Sequence, residues 1–273
     1  MYRFYWLLLL VFFGNSVNGQ GNILPKESDS SRLVSLSNLK QDDRTMIALT
    51  FGQSNASNRG QTPYTPTNTS SVFNYYNGKL YTAKDPLIGT TGNGGSVWTH
   101  LADTLINSGL YDKVILIPIA VGGAAIERWS SGDCSKILLQ TLQSLTSQHI
   151  HLTHILWHQG ETDNLLNTPA ETYKERLNTI LNTIRSYHQD ADLYVSLASY
   201  HPSSFTKPLG VDKVIRKAQK EFINERKRVL LGPDTDVLIH AIYRYDSVHF
   251  SDFGLKAFAD LWFSALKKKS ERT

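Results

Sequence analysis

"MIALTFGQSNASNRG", residues 46–60, runs from an apolar segment directly into a cluster of turn-forming residues. Met46 to Phe51 is short, mostly aliphatic and not alternated with polar residues. That pattern suits a strand covered on both faces. Gly52-Gln53-Ser54-Asn55 then ends it. A serine between glycine and asparagine is commonly a turn residue. At the carboxyl end of a buried strand it can also be a nucleophile. The G-x-S-x-G elbow is absent, so that motif does not decide between the two. The partners elsewhere in the chain must.

Three further runs read as buried strands: "KVILIPIAV" (113–121), "THILWHQ" (153–159) and "DLYVSLAS" (192–199). Helical patterns lie between and after them. In "TPAETYKERLNTILNTIRSYH", Thr168 is placed to cap, Pro169 suits the first turn and Glu171 completes a capping box. Tyr173, Leu177, Ile180, Leu181, Ile184 and Tyr187 form its apolar stripe. "SVWTHLADTLINSG", "VDKVIRKAQKEFINERK" and "SDFGLKAFADLWFSALKKK" read as helices too. Strand alternating with helix predicts an α/β fold: three α/β/α layers around a central parallel sheet. The Thr-, Asn-, Gly- and Pro-rich segment 57–96 has no clean period and is expected as a long surface loop near the site.

With 41% hydrophobic residues the chain is too apolar for disorder, and its 273 residues suffice for one large domain. A formal charge of +4 from scattered basic residues gives no nucleic-acid footprint. Residues 1–19 read as a signal peptide. Arg3 is the positive start, Phe4 to Phe13 the apolar region, and Val17-Asn18-Gly19 the cleavage site. The apolar run is half of the ~20 residues a spanning helix needs. Secretion, or export to a periplasm, is therefore expected, with no stable membrane insertion after cleavage; an uncleaved anchor is the competing reading. Residues 20–43 read as a polar lead-in and 44–273 as a single domain. Cys134 is the single cysteine, so stability must come from the core and not from an internal disulfide.

Ligands of a parallel α/β sheet sit beyond the carboxyl ends of its strands. The first strand delivers Ser54 there, the second Gly122-Gly123, and the third Gln159-Gly160-Glu161; "YDSVHF" adds Asp246 and His249. A serine hydroxyl needs a base, which His249 supplies, and a carboxylate to hold the imidazole, which Asp246 supplies. The oxyanion formed by attack on an acyl group needs donors: the Ser54 N–H, the Gly123 N–H and the Gln159 side-chain amide.

In this order "GQSNA", "VGGAAIERW", "WHQGETD", "GPDTD" and "DSVHF" resemble the sialate O-acetylesterase-type branch of the SGNH hydrolases. That branch includes acetylxylan esterases of carbohydrate esterase family six. The resemblance covers residues 46–258. It implies a flavodoxin-like SGNH fold, no metal or other cofactor, and removal of acetyl groups from an acetylated carbohydrate. By the family's motifs Ser54 is the nucleophile, Asp246 and His249 complete the triad, and Gln159 is the third-block amide. The second-block glycine is Gly123, with Gly122 the alternative. Gln53, Asn55, Glu161 and Trp129 are candidate substrate or supporting residues. Ala124-Ala125 and His158 depart from residues common in relatives.

Other readings stand beside these. Asp246 and His249 could serve a helix start, and Gln159 could satisfy buried backbone. Glu161 is expected to orient loops. Glu127, Arg128 and Trp129 either border the sugar site or form a surface ion pair and a packed tryptophan. His149, His151, His154 and His158 do not converge as a metal set needs, because a strand would split them between faces. Asn55 and Asn68 head N-glycosylation sequons, and a glycan on Asn55 would sit against the nucleophile. A lipid esterase or thioesterase, or a carbohydrate-binding protein without catalysis, are the competing functions.

Overall fold

The structure, a computed structural model, describes residues 26–270. The expected signal peptide, residues 1–19, lies outside them. The sheet is built from β1 (Leu33–Val34), β2 (Thr45–Gly52), β3 (Val72–Tyr76), β4 (Lys79–Thr82), β5 (Lys113–Pro118), β6 (His154–His158), β7 (Asp192–Leu197) and β8 (Val229–Asp234). Its order is β1-β4-β3-β5-β2-β6-β7-β8. The pairs from β3 across to β8 are parallel, and β4 runs antiparallel to β3 and β1. The four strands read from the sequence are β2, β5, β6 and β7, in the middle of this sheet.

Helices α1 (Val97–Asn107), α2 (Ile126–Ser130), α3 (Asp133–Ser147), α4 (Glu161–Leu166), α5 (Ala170–Ser186), α6 (Lys213–Asn224) and α7 (Asp252–Ser270) complete the fold. Side chains alternate between the sheet faces with period two. Ile47, Leu49, Phe51, Ile115, Ile117 and Trp157 therefore join one core with residues of α2, α3, α5 and α6. Met46, Ala48, Val114, Leu116 and Leu156 join the other with α1 and α7. The fold is the expected three-layer α/β sandwich. Because β2 has β5 on one side and β6 on the other, the chain reverses direction across the sheet at β2. In open α/β sheets ligands bind beyond the carboxyl ends of the strands at such a reversal.

Three expectations change. Segment 57–96 is not a surface loop: it holds the β3–β4 hairpin, joined through Asn77 (φ 46°) and Gly78 (φ 76°). Both turn residues are left-handed, as a two-residue type I′ connection requires. Its polar residues stitch backbone from inside: Asn58 Nδ2 donates to the Leu87 carbonyl at 2.8 Å, and the Leu87 N–H returns a bond to Asn58 Oδ1 at 2.9 Å. That use of asparagine is why the segment shows no hydrophobic period. The lead-in is also part of the fold where it is described. Leu33–Val34 pair with β4, and buried Arg32 donates to the carbonyls of Lys84 and Pro86 at 2.7 and 3.2 Å. Finally, Thr168 does not cap α5. Pro169 holds the cap position without a side-chain bond, while the Thr168 hydroxyl donates to Asp163 Oδ1 at 2.6 Å. A buried carboxylate is a better acceptor for the hydroxyl than the helix end, which offers it only donors.

Candidate active site

β2 ends where its neighbour comes too close for any side chain. Gly52 has φ +133°, and a Cβ there would stand 1.9 Å from the His158 carbonyl oxygen. Only glycine closes this approach without strain. The Gln53 N–H then bonds the same His158 oxygen at 3.1 Å, and Ser54–Ala56 form a 3₁₀ turn. The Ser54 carbonyl accepts from both the Ser57 N–H (2.9 Å) and the Ser57 hydroxyl (2.8 Å). The nucleophile candidate thus sits on a turn fixed by sheet backbone. Among the described residues its own N–H and hydroxyl take no hydrogen-bond partner.

The base candidate arrives on a different element, the loop before α7. Asp246 Oδ1 accepts the N–H groups of Val248 (2.9 Å) and His249 (2.6 Å), and Oδ2 accepts His249 Nδ1–H at 2.6 Å. Burial pushes the Asp246 carboxyl up, but the bonds from the His249 ring and from these N–H groups outweigh it and bring it down to about 2. The carboxylate is therefore charged at neutral pH, and it holds the imidazole with Nε2 left to receive a proton. Two tethers bring this loop to the serine turn. Asn55 Nδ2 donates to the Val248 carbonyl at 3.3 Å, and the Tyr245 hydroxyl donates to the Arg59 carbonyl at 3.4 Å. Residues adjacent to Ser54 and to His249 are thereby in contact.

The glycine pair resolves into two jobs. The Gly122 N–H is spent on Thr91 Oγ1 at 2.8 Å. Gly123 is left-handed at φ +66°, a Cβ built on it meets nothing within 4 Å, and its N–H takes no partner among the described residues. Of the pair, only Gly123 has its N–H uncommitted among the described residues.

Gln159 is placed differently from the expectation. It is fully buried, and its Nε2 faces Asp163 Oδ2 (2.5 Å), the Ala124 carbonyl (3.2 Å) and Gln53 Oε1 (3.3 Å). Its Oε1 accepts the Tyr173 hydroxyl at 3.0 Å. Two amide hydrogens already surrounded by three protein acceptors leave nothing for an oxyanion, so here Gln159 ties β6 to its surroundings. The uncommitted amide belongs to Gln53. The backbone N–H groups of Gly160 (3.4 Å) and Thr162 (3.0 Å) can only meet an oxygen, which fixes Gln53 Oε1 toward α4. Gln53 precedes Ser54 in the chain, and its Nε2 has no partner among the described residues.

Glu161 reaches the serine turn: its buried Oε1 accepts Asn55 Nδ2 at 3.0 Å, and burial pushes its carboxyl pKa up. Asn55 is itself buried, with its amide nitrogen shared between Glu161 and Val248. Trp129 is core, not sugar border. It is 1% exposed, its Nε1–H donates to the Gly52 carbonyl at 3.0 Å, and its ring packs edge-on against Phe51 and Trp157. Arg128 pairs with Asp133 at 2.7 Å on the surface, and Glu127 is exposed there. His158 is fully buried, bonded to Thr235 Oγ1 at 3.0 Å, and burial pushes it down to about 3. His154 lies on the same strand face, whereas His149 and His151 are exposed outside the strand. Among the described residues no three His, Cys, Asp or Glu side chains gather as a metal set.

Two residues that sequence reading passed over organise the site. Buried Asp163 accepts from the Ile126 N–H (2.8 Å), Gln159 and Thr168, joining α2, β6 and the start of α5. Buried Arg244 donates to the Val248 carbonyl at 2.7 Å beneath the His249 loop. Asp163 stands four residues after Gln159 in the quoted "WHQGETD" block, a helix-turn spacing that was available to see. Arg244 has no such signal.

Solved structures of similar fold include a protein from Arabidopsis thaliana, with 17% identity, TM-score 0.64, and coverage of 82% of this chain and 98% of that one. NanS aligns at 14% identity and TM-score 0.57 over 86% of this chain and 100% of that one. The Clostridium thermocellum family 3 carbohydrate esterase aligns at 14% and 0.52, over 82% and 96%. At such identities the likeness shows the fold alone, that of SGNH-type hydrolases. Among curated proteins none matches the sequence significantly. Residues 44–262, most of the chain, match the model of the family described as carbohydrate esterase, sialic acid-specific acetylesterase. The chain belongs to that family and is a carboxylic ester hydrolase.

Proposed function

We propose that the protein is a secreted O-acetylesterase that removes acetyl groups from a carbohydrate through an acetyl-enzyme on Ser54. The observation that carries the reading is the 2.6 Å Asp246–His249 pair, tethered to the Ser54 turn through Asn55 and Val248. His249 Nε2 takes the Ser54 proton as Oγ attacks the acetyl carbonyl carbon. The carbonyl oxygen becomes an oxyanion received by the Ser54 N–H, the Gly123 N–H and Gln53 Nε2. Collapse breaks the C–O bond to the sugar, whose oxygen takes the proton back from His249. Water, deprotonated by His249, then attacks the acetyl-enzyme and releases acetate and Ser54. Asp246 stays ionised throughout and stabilises the imidazolium. The pattern of residues 1–19 supports export, and no described helix is long and apolar enough to cross a membrane.

Acetate release from O-acetylated sialic acids and from acetylated xylan tests the substrate class. Acid quench during turnover, followed by peptide mass analysis, is expected to find one acetyl group on the peptide containing Ser54. p-Nitrophenyl acetate is expected to be cleaved far faster than the octanoate. A preference rising toward octanoate would turn the assignment to a lipid esterase.

A further inference from the structure

Arg244 is a buried cation with no carboxylate bonded to it among the described residues. Its Nε donates to the Leu238 carbonyl at 2.8 Å, Nη1 to Val248 at 2.7 Å and Nη2 to Thr235 at 3.4 Å. The guanidinium lies 3.7 Å from the Phe250 ring centroid and 5.4 Å from that of Tyr200. Burial pulls its pKa down to about 10, so it remains charged at neutral pH, with Glu161, Asp236 and Asp246 acting on it through their charge. Taking a guanidinium out of water is costly, and three carbonyls with two aromatic faces are what compensates it here. A hydrophobic side chain could have filled the same space without that cost.

What the fork holds explains its presence. The 244–250 segment closes on itself through an Arg244–Phe250 bridge and the Tyr245 N–H bond to the His249 carbonyl at 3.0 Å. Phe250 anchors its far end in the core, but Tyr245, Asp246 and Ser247 are exposed and Val248 and His249 only half-buried, so little hydrophobic contact holds the stretch that carries His249. The carbonyl immediately before His249 is gripped from two sides, by Arg244 Nη1 from below and by Asn55 Nδ2 from the nucleophile turn. The other two prongs bind Leu238 and Thr235, in the chain that follows β8.

We propose that Arg244 is a positioning residue for catalysis, whose guanidinium fork clamps the Val248 carbonyl and so sets His249 against Ser54. This rests on His249 being the base. Arg244 touches no reacting atom and acts only through the loop. Lysine preserves the charge but cannot reach three divergent carbonyls, so the fork geometry, and not the charge alone, is the working feature.

The test uses the full chain and p-nitrophenyl acetate, with Arg244→Ala, Arg244→Lys and His249→Ala. Misplacing a catalytic group by an ångström costs about 10²-fold. Arg244→Ala is therefore expected to lose about 10² in kcat with KM nearly unchanged, and tens of millimolar guanidinium are expected to restore much of the loss. A denaturant cannot repair mere destabilisation, so rescue separates positioning from stability. Arg244→Lys, which retains more of the packing, is expected to fold and still show the kcat loss. A folded Arg244→Lys with wild-type kcat overturns the proposal, as does an Arg244→Ala defect that guanidinium leaves untouched. His249→Ala is expected to be inactive with or without guanidinium. Activity surviving in His249→Ala would instead remove the base assignment itself.

Discussion

The two members of the proposed catalytic pair are held in opposite ways. Ser54 rides on a central strand whose eight residues are all buried, and its turn is stitched to β6 by backbone bonds. His249 rides on a largely exposed loop at the end of the chain's last crossover, held by Asp246, Asn55 and Arg244. The serine inherits the rigidity of the sheet, whereas the imidazole depends on a few polar bonds. Damage to the backbone junction that carries the serine should therefore spread to stability, and damage to the second side should stay confined to rate.

The largest expected effect removes the centre of the comparison. Ser54→Ala should lower kcat/KM by about 10⁴-fold or more while the melting temperature stays close to wild type. Turnover near the wild-type rate in a folded variant would take Ser54 out of the mechanism. Asp246→Asn should come next, at about 10³–10⁴-fold in kcat, again with little change in melting temperature. An amide oxygen can still accept the Val248 and His249 N–H groups, so the loop is kept while the imidazole loses its counter-charge and its held tautomer. If that variant instead melts much earlier with its rate intact, the loop and not the chemistry is what Asp246 serves.

Gly52→Ala should break the other side. Its Cβ has nowhere to go but into the His158 carbonyl, 1.9 Å away, at φ +133°. A loss of about 3 kcal/mol is expected, read as a lowered denaturant midpoint. A midpoint equal to wild type would mean that the β2–β6 junction is softer than it looks. The glycine pair gives a smaller and sharper contrast. Gly123→Ala forces alanine into a left-handed conformation and disturbs a donor, which should cost about 1–2 kcal/mol, read in kcat. Gly122→Ala meets only ordinary contacts at 3.5 Å or more and should change little. Reversal of that order would move the oxyanion donor to Gly122.

The smallest effect is acid sensitivity of the loop. The Asp246 pKa is depressed from 3.8 to about 2 in the folded protein. Its contribution to stability is thus complete above the ordinary carboxylate range and is lost as pH falls through about 2. Proteolytic susceptibility at the His249 loop should rise over that acid window in wild type and less in Asp246→Asn. Equal rises in both would assign the acid response to other carboxylates.

The strands of the sheet centre were legible because they are buried on both faces and so read as unbroken apolar runs. The β3–β4 hairpin was legible in principle through Asn77-Gly78, but its few residues sit in a stretch of asparagines and threonines that bond backbone from inside. α3 carries a stripe of Cys134, Leu138, Leu142 and Leu145 that helical spacing would have caught. β8 hid because it is an edge strand with Leu231 exposed and Gly232-Pro233 inside it.

The sequence by itself determined the layer architecture, the order of the motif blocks, and the identity of Ser54, Asp246 and His249 as candidates. These follow from periodicity and from side-chain chemistry, which are properties of neighbours along the chain. The tertiary structure decided which amide is free and which is spent, Gln53 against Gln159, and which glycine N–H is open, Gly123 against Gly122. It also decided that Trp129 is core and that Arg244 lies under the His249 loop. Each of these depends on which partner a polar group meets once distant segments are packed together. A donor's availability is set by its competitors for hydrogen bonds in space, and no spacing along the chain records those.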